Sequence, residues 1–580
     1  MPDGVETTFT YEALDHASNT LAHSLRSLGV KKGDRVAVSL GNCPEFAALT
    51  YALFKLGAIL VPLNPTFNAA QITAALTHLG VELLIIGAVT DLPYKPCRGR
   101  DNLSLLQTLA PDLKKRGGRV ESPGIPSLKR IVVVDNTPAH PLVPSPLPDN
   151  PALIPFLELM QAWPSAFSSE SVTPDSPLAP DETINIQFTS GTTSHPKAAM
   201  LSHTSILNNG ALIAHRMGLV PDDKIVCPPP LFHCFGCVLG YMATATTGAG
   251  ILFPSPAFDP LASMRMAADH QATGLYGVAT MFVAMLEVLA EARSLGTDPS
   301  LTPDKIALLP SHLRTGIAAG SSVPESLMRR LYDSVGLNEL VICYGMTETS
   351  PVSCMTTPTD PFEKRTGSVG RAMPHTRVKV VDPADRTRVL PVGERGELAA
   401  AGYLVMKGYW GDEEKTAEVR VAETDEHGQE TVWMYSGDEA SMDAEGYVEI
   451  TGRIKDLIIR AGENIHPLEI ENCLFQHPLI AEVSVVGVPD ERYGECVSAF
   501  VIPHKGVAVG GSESESTPAA AAQRLTEDDV RDWVRTRLSG HLVPKHVFWA
   551  EEYPKTASGK IQKFKLRDTA KDILSGRGHK

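Results

Sequence analysis

The sequence is poor in cysteine, in basic charge and in long apolar runs. Nine cysteines in 580 residues are too few for a disulfide framework, so a reducing, intracellular setting is expected. Lys and Arg number 52 against 67 Asp and Glu, a net charge of −15. That balance excludes a general nucleic-acid binder, which needs concentrated positive charge to displace counterions. It leaves room for anionic small molecules, which backbone N–H groups and a few lysines hold locally. No run reaches the roughly 20 apolar residues of a membrane span. The most apolar stretch, Ala47 to Leu63, is interrupted by Lys55 and Pro62 and reads as a helix followed by a buried strand. The opening Met-Pro-Asp-Gly-Val-Glu lacks the basic start and apolar core of a secretory signal, and the ending is not a Ser-Lys-Leu address. Cytoplasmic placement is the default expectation, with peroxisomal and mitochondrial placement left open. No serine-centred hydrolase elbow and no internal repeat stand out.

What is present is ordinary globular composition, 43% hydrophobic and 21% charged, in a chain long enough for two to four domains at roughly 150 residues each. The first 90 residues alternate helix and strand. Leu14, Ala17, Leu21, Leu25 and Leu28 line one helical face, and Gly29 is placed to end it. Val36–Leu40, Ala58–Val61 and Leu83–Ile86 read as strands, which predicts an α/β domain with parallel pairing. Residues 137–181, rich in Pro and Ser, read as a long surface loop. Residues 505–524, rich in Gly, Ser and Ala, read as a flexible loop.

Four stretches carry chemistry. The run Phe188-Thr189-Ser190-Gly191-Thr192-Thr193-Ser194-His195-Pro196-Lys197 follows a strand-like segment. Its hydroxyls, glycine and lysine suit a polyphosphate, although it is not a P-loop, and a plain Ser/Thr-rich turn is the competing reading. Tyr344-Gly345-Met346-Thr347-Glu348 follows the apolar strand Leu340–Cys343 and offers a carboxylate for Mg²⁺ beside hydroxyls. Gly437-Asp438, with Gly452-Arg453 downstream, suits a ribose diol, though a turn Asp is the commoner role. Ser558-Gly559-Lys560 lies in a basic run that alone reads as solvated surface. Cys234 and Cys237 have CxxC spacing beside His233, but no second ligand pair completes a zinc site. A redox pair is the minor alternative there.

Singly these motifs are weak, but their order is specific. "FTSGTTSHPKAAMLSH", "PLFHCFG", "YGMTETSP", "GELAAAGYLVMKGYW", "YSGDEASMDAEGYVEITGRIKDLIIRAGENIHPLEIE" and "YPKTASGKIQKFKLR" together resemble the motif series of the adenylate-forming (AMP-binding) enzymes. The likeness runs from about Phe9 to Arg567. "LYGVATMFVAML", "SVGRAMPHT" and "GRIKDLIIRAGENIHPLEIE" look most like the medium-chain acyl-CoA synthetase branch.

The resemblance implies an α/β fold in two parts: a large AMP-binding domain over residues 1–454 and a small mobile α+β lid over 455–580, hinged at Lys455. It implies ATP, Mg²⁺ and CoA, and two half-reactions. A carboxylate first attacks the α-phosphate of ATP, giving acyl-adenylate and pyrophosphate, and the CoA thiol then displaces AMP. By the same resemblance Thr189, Ser190, Gly191, Thr192, Thr193 and Lys197 cradle the β- and γ-phosphates. Gly320, Ser321, Ser322, Tyr344 and Gly345 line the adenine. Thr347 contacts the α-phosphate, Glu348 holds Mg²⁺, and Asp438 and Arg453 take the ribose. Lys560 is the lid lysine of adenylation. Gly462 and Glu463 meet CoA, and His233 stands between the acyl pocket and the CoA tunnel. Phe235, Gly236, Val238, Leu239, Gly240, Tyr276 and Gly277 are expected to line the acyl pocket, and their apolar, partly small side chains suit a medium or branched acyl chain.

Departures from the pattern are Ser194 where a glycine is usual, Ala198 where a glycine follows the lysine, and Ala399-Ala400-Ala401 before Gly402. The Cβ of Ser194 limits positive φ and is expected to stiffen the loop. Family members also carry a few tens of residues ahead of the "TYEAL" helix. The leading expectation is an acyl-CoA synthetase. The alternatives are a ligase that loads a separate carrier protein, with a downstream acyltransferase as a further partner, and a nucleotide-binding pseudoenzyme. An amino-acid-adenylating enzyme is disfavoured, because "PLFHCFG" offers no carboxylate for an ammonium. Catabolic and biosynthetic roles are equally open.

Overall fold

The computed structural model describes residues 6–113, 118–161, 170–189, 197–295, 299–320, 323–510, 523–555 and 561–576. The first helix, Tyr11–Ser27, starts where the Thr10 side chain accepts from the Ala13 N–H. Leu14, Leu21 and Leu25 are buried against the helix Pro44–Leu56. Gly29 follows the helix end with φ +94°, as its position predicts.

Two seven-stranded sheets form the bulk of the chain. The first runs, in spatial order, through Ile154–Pro155, Arg130–Val134, Leu83–Gly87, Arg35–Ser39, Ile59–Pro62, Thr183–Thr189 and Lys197–Ser202. All its pairings are parallel except the last, the hairpin of Thr183–Thr189 with Lys197–Ser202. Its central strands are apolar on both faces. Val36, Val38 and Ile85 face the core shared with the second sheet, while Ala37, Leu84 and Ile86 face a core on the opposite side. Burial on both faces explains the near-continuous apolar runs in the sequence.

The second sheet orders Gly250–Leu252, Lys224–Val226, Gly274–Leu275, Thr315–Ala318, Glu339–Gly345, Val352–Met355 and Arg371–Ala372. Its first five strands are parallel and its last two antiparallel. A third, antiparallel sheet comprises Thr376–Val381, Gly396–Gly402, Arg420–Thr424, Glu430–Met442 and Val448–Arg453. The short 3₁₀ turn Ile454–Asp456 leads from it into a fourth sheet of Ile458–Arg460, Glu463–Ile465, Ile480–Asp490, Gly494–Pro503 and His546–Trp549. The helices Pro467–Leu474 and Glu527–Arg535 bury apolar faces in one core of this sheet, and Lys563–Leu574 does so in the other.

Two expected loops contain regular structure. Within 137–181, Ile154–Pro155 adds an edge strand, and Phe156–Gln161 is a helix whose Phe156 and Leu159 are buried. Pro155 is tolerated because an edge strand leaves one side of its backbone unpaired. Within 505–524, Ala508–Val509 and Arg524–Leu525 pair as two short parallel strands. Among the described residues, no helix is long and apolar enough to cross a membrane.

Candidate functional site

The site gathers at the end of the Glu339–Gly345 strand. Gly345 sits at a bulge where a Cβ would stand 1.8 Å from the Pro351 carbonyl oxygen, so only glycine fits there. The chain then turns into the 3₁₀ segment Thr347–Thr349. The Tyr344 phenol donates to Asp438 Oδ2 at 2.6 Å. Burial, with the Asp438 charge second, pushes that phenol well above its ordinary range, so it stays a donor. The other Asp438 oxygen lies 3.4 Å from Arg453 Nε. Asp438 and Arg453 are cross-strand partners of the third sheet, which brings the sequence-distant pair together.

Glu348 is buried, with 6% of its surface exposed. The Tyr409 hydroxyl donates to its Oε1 at 2.7 Å, and the Met406 N–H donates to its backbone carbonyl at 2.9 Å. Burial, with the Glu348 charge second, raises the Tyr409 phenol, so this bond too persists at neutral pH. Lys197 Nζ stands 4.8 Å over the Tyr409 ring, a cation–π contact that ties the start of the Lys197–Ser202 strand to the carboxylate's neighbour. Thr189 is the cross-strand partner of Lys197. Tyr409 lies in the "KGYW" phrase, but nothing in the sequence assigns it a role. Its partner is 61 residues away.

The segment Phe235–Met242 is a π-helix, every residue of which is buried. At its entrance the Phe235 N–H donates to His233 Nδ1 at 3.2 Å, which fixes that nitrogen as the acceptor and leaves the proton on Nε2. Gly236 has the Pro230 carbonyl oxygen 2.2 Å from where a Cβ would be, and Gly240 has Cys227 Sγ at 2.6 Å. Their small size is thus set by close packing of the π-helix on the 227–230 segment. Val238 and Leu239 lie in the core, and Tyr276 is fully buried with its hydroxyl 3.2 Å from Met217 Sδ. Gly277 bridges to Ala318. A cavity of about 890 Å³ opens beside this helix, with Tyr94, Phe232, Phe253, Phe258, Met281 and Lys555 in its wall. None of the seven expected acyl-pocket residues lines it.

The CxxC thiols are not a redox pair of the low-pKa kind. Burial pushes Cys234 up to about 12 and raises Cys237 as well, so both are protonated and poorly nucleophilic. Among the described residues no group of three or more His, Cys, Asp or Glu side chains could hold a metal ion. Glu348 alone still fits Mg²⁺, which is commonly held by one or two carboxylates plus substrate phosphates.

Further out, Gly320 follows the Thr315–Ala318 strand with φ +86° and is exposed. Lys455 is exposed in the 3₁₀ turn between the third and fourth sheets. Its carbonyl accepts from Arg567, whose guanidinium also bonds Asp456 at 2.8 Å. Gly462 is exposed in the turn between the strands Ile458–Arg460 and Glu463–Ile465, and Glu463 is exposed at the start of the second of them. Ser190, Gly191, Thr192, Thr193, Ser194, Ser321, Ser322 and Lys560 lie outside the described residues. Of the departures, Ala198 is buried in the hairpin with its carbonyl accepting from the Trp410 N–H, and Ala399, Ala400 and Ala401 are buried in the middle of the third sheet.

This fold is that of enzymes that activate carboxylic acids with ATP. A match to the AMP-binding enzyme family covers residues 3–410, and one to the AMP-binding enzyme C-terminal domain covers 469–560. The chain belongs to the AMP-binding enzyme family. It is 38% identical to the acyl-CoA ligase SID4 of Ajellomyces capsulatus, over 98% of this chain and 87% of that protein. It is 35% identical to the mitochondrial medium-chain acyl-CoA ligase ACSF2 of Danio rerio, over 99% of this chain and 85% of that one. Among solved structures, ATP-bound MatB from Rhodopseudomonas palustris superposes with a TM-score of 0.73 at 25% identity, covering 97% of this chain and 94% of that one.

Proposed function

We propose that the protein is an AMP-forming acid–CoA ligase that activates a medium-chain or branched carboxylic acid through an acyl-adenylate. The observation that carries this reading is the meeting of Tyr344, Asp438 and Arg453 within a few ångströms, next to the Thr347–Glu348 turn. Tyr344 and Arg453 both spend their polar groups on Asp438, which leaves its carboxylate oriented to accept two ribose hydroxyls and the phenol ring free to pack on adenine. Thr347 donates to the α-phosphate, and Lys197 with Thr189 to Thr193 takes the β- and γ-phosphates. Glu348, held in place by the Tyr409 hydroxyl, would hold the Mg²⁺ that accompanies ATP. When bound, that ion neutralises phosphate charge.

Chemistry then consists of positioning and charge stabilisation. The substrate carboxylate displaces pyrophosphate at the α-phosphorus. Lys560 meets the developing charge, Lys455 lets the 455–580 lid rotate away from the 1–454 domain, and the CoA thiol displaces AMP past His233, with Gly462 and Glu463 at its entry. The apolar cavity that begins at Phe232, the neighbour of His233, supports room for a second substrate on that side. The acyl chain is assigned to the face of the π-helix and Tyr276–Gly277, and the name of the Danio rerio relative supports medium chain length. A mitochondrial location is the compartment that same relative suggests.

The test is mass spectrometry of products formed from ATP, Mg²⁺ and a panel of carboxylic acids, with and without CoA. Acyl-CoA formed only with CoA is the expected result. Acyl-adenylate that accumulates and ignores CoA would replace this reading with a carrier-loading ligase, and no product from any acid would replace it with a nucleotide-binding pseudoenzyme.

A further inference from the structure

One buried polar group stands unexplained next to the site. Gln187 lies in the Thr183–Thr189 strand, two residues before Thr189, and is 2% exposed between the apolar Ile186 and Phe188. Its carboxamide is bracketed by the π-helix. Oε1 accepts from Cys234 Sγ at 2.9 Å, and Nε2 donates to Cys237 Sγ at 3.3 Å. Cys234 Sγ also lies 3.3 Å from Thr347 Oγ1. A single relay therefore joins the stem of the phosphate-loop hairpin, the first turn of the π-helix and the Thr347 hydroxyl.

Stability is a poor reason for this glutamine. Burying a carboxamide is costly unless strong partners replace water, and sulfur is a weak donor and a weak acceptor. An apolar residue would suit that strand position better. The relay does, however, fix proton directions. A thiol has one proton, and burial keeps it on Cys234 at neutral pH. With that proton on Gln187 Oε1, the sulfur turns only lone pairs toward Thr347. The Thr347 O–H then has a weak acceptor behind it, which holds it in register and yields it readily to a charged phosphate oxygen, the far stronger acceptor.

We propose that Gln187 is a positioning residue for adenylation, acting through Cys234 to hold the Thr347 hydroxyl as a donor to the α-phosphate. The proposal rests on the reading of Thr347 given above. It also makes the first turn of the π-helix, which adjoins the assigned acyl pocket, part of the phosphate site.

The test is a double-mutant cycle of Gln187→Met, Thr347→Val and the pair, read by acid-dependent ATP–pyrophosphate exchange. Methionine keeps the volume and removes the carboxamide. The single Gln187→Met change is expected to lower the exchange kcat about fivefold to tenfold, the scale of one misoriented hydrogen bond, with the KM for ATP within about twofold. In the Thr347→Val background the same change should cost less than about twofold, because its route is already gone. Equal losses in both backgrounds, or no loss in the single variant, overturn the proposal. If the wild-type protein exchanges with no acid, it is the ligase reading that fails. The same cycle read as AMP affinity by calorimetry then decides, non-additive losses upholding the relay and additive losses or none overturning it.

Discussion

The carboxylate of Glu348 depends on a phenol supplied from 61 residues away. Glu348 is only 6% exposed, and a buried polar group is costly without a hydrogen-bond partner. Tyr409→Phe removes the donor and keeps the ring under Lys197. It should raise the Mg²⁺ concentration for half-maximal acid-dependent pyrophosphate exchange and lower kcat by about tenfold, the cost of a hydrogen bond to a charged group. Glu348→Gln should cost more, about 10²- to 10³-fold, as removal of a charge-stabilising group does. Equal activity of Tyr409→Phe and wild type across a Mg²⁺ titration would remove Tyr409 from the site. The two residues also mark what a linear sequence conveys. Glu348 stands beside hydroxyls after a strand, a pattern with a chemical meaning, whereas a tyrosine in "KGYW" acquires one only when folding sets it against the carboxylate. Gln187 was hidden for the same reason, since one polar residue in an apolar strand has no spacing to betray it.

Elements were legible where a single period governed them. The strands Arg35–Ser39, Ile59–Pro62 and Leu83–Gly87 and the first helix follow from apolar pattern and end signals. The π-helix was not, because its i→i+5 hydrogen bonding matches no common template and its glycines look like pocket residues until their neighbours are known. Gly236→Ala places a methyl 2.2 Å from the Pro230 carbonyl oxygen, a backbone atom that cannot step aside. It should lower stability by about 1–3 kcal/mol, as overpacking does, seen as a lower urea midpoint with an unchanged m-value. A midpoint equal to wild type would mean the π-helix relaxes there at no cost. Within the 137–181 segment, the prolines conceal a short edge strand and a helix held by long-range contacts such as the Ser24 hydroxyl on the Leu159 carbonyl. At its start, buried His140 bonds Asp91 at 2.9 Å, pinning the Thr137–Ala139 turn to the Val89–Asp91 strand. That bond raises the His140 pKa above its ordinary value. A raised folded-state pKa stabilises fully below the unfolded value, about 6.5, and the contribution fades as pH climbs through the folded value. The urea-midpoint advantage of wild type over His140→Gln should therefore be widest near pH 6 and shrink toward pH 9. A constant gap would mean that the imidazole is bonded in its neutral form throughout.

At the scale of the whole molecule, the change of sheet falls at Ile454–Asp456, beside the lysine expected to be the hinge. What no motif announced is a contact across that change. His466 sits at the N-cap position of the helix Pro467–Leu474 without capping it, and its Nδ1 lies 3.1 Å from Glu439 Oε2 in the third sheet without forming a hydrogen bond. Both side chains are only 12% exposed, and the Thr451 hydroxyl donates to the same Glu439 oxygen. Glu439 adjoins Asp438 in the Glu430–Met442 strand, so the contact joins the strand proposed to take the ribose to the layer proposed to rotate. A buried pair that exists in one lid arrangement and not in the other biases the two by its own differential free energy. His466→Phe keeps a ring of similar size and removes the polar contact. Loss of a contact worth about 1 kcal/mol would shift the lid population by roughly fivefold toward the other arrangement. The ratio of the two half-reactions, pyrophosphate exchange against thioester formation from supplied acyl-adenylate, should then move in opposite senses, with one rate rising as the other falls. Because Glu439→Leu breaks the same contact from the opposite side, it should move the ratio in the same direction. Parallel loss of both rates in both variants, with a lowered melting temperature, would assign the pair to stability and leave the lid equilibrium to the Lys455 turn and the Arg567–Asp456 bond.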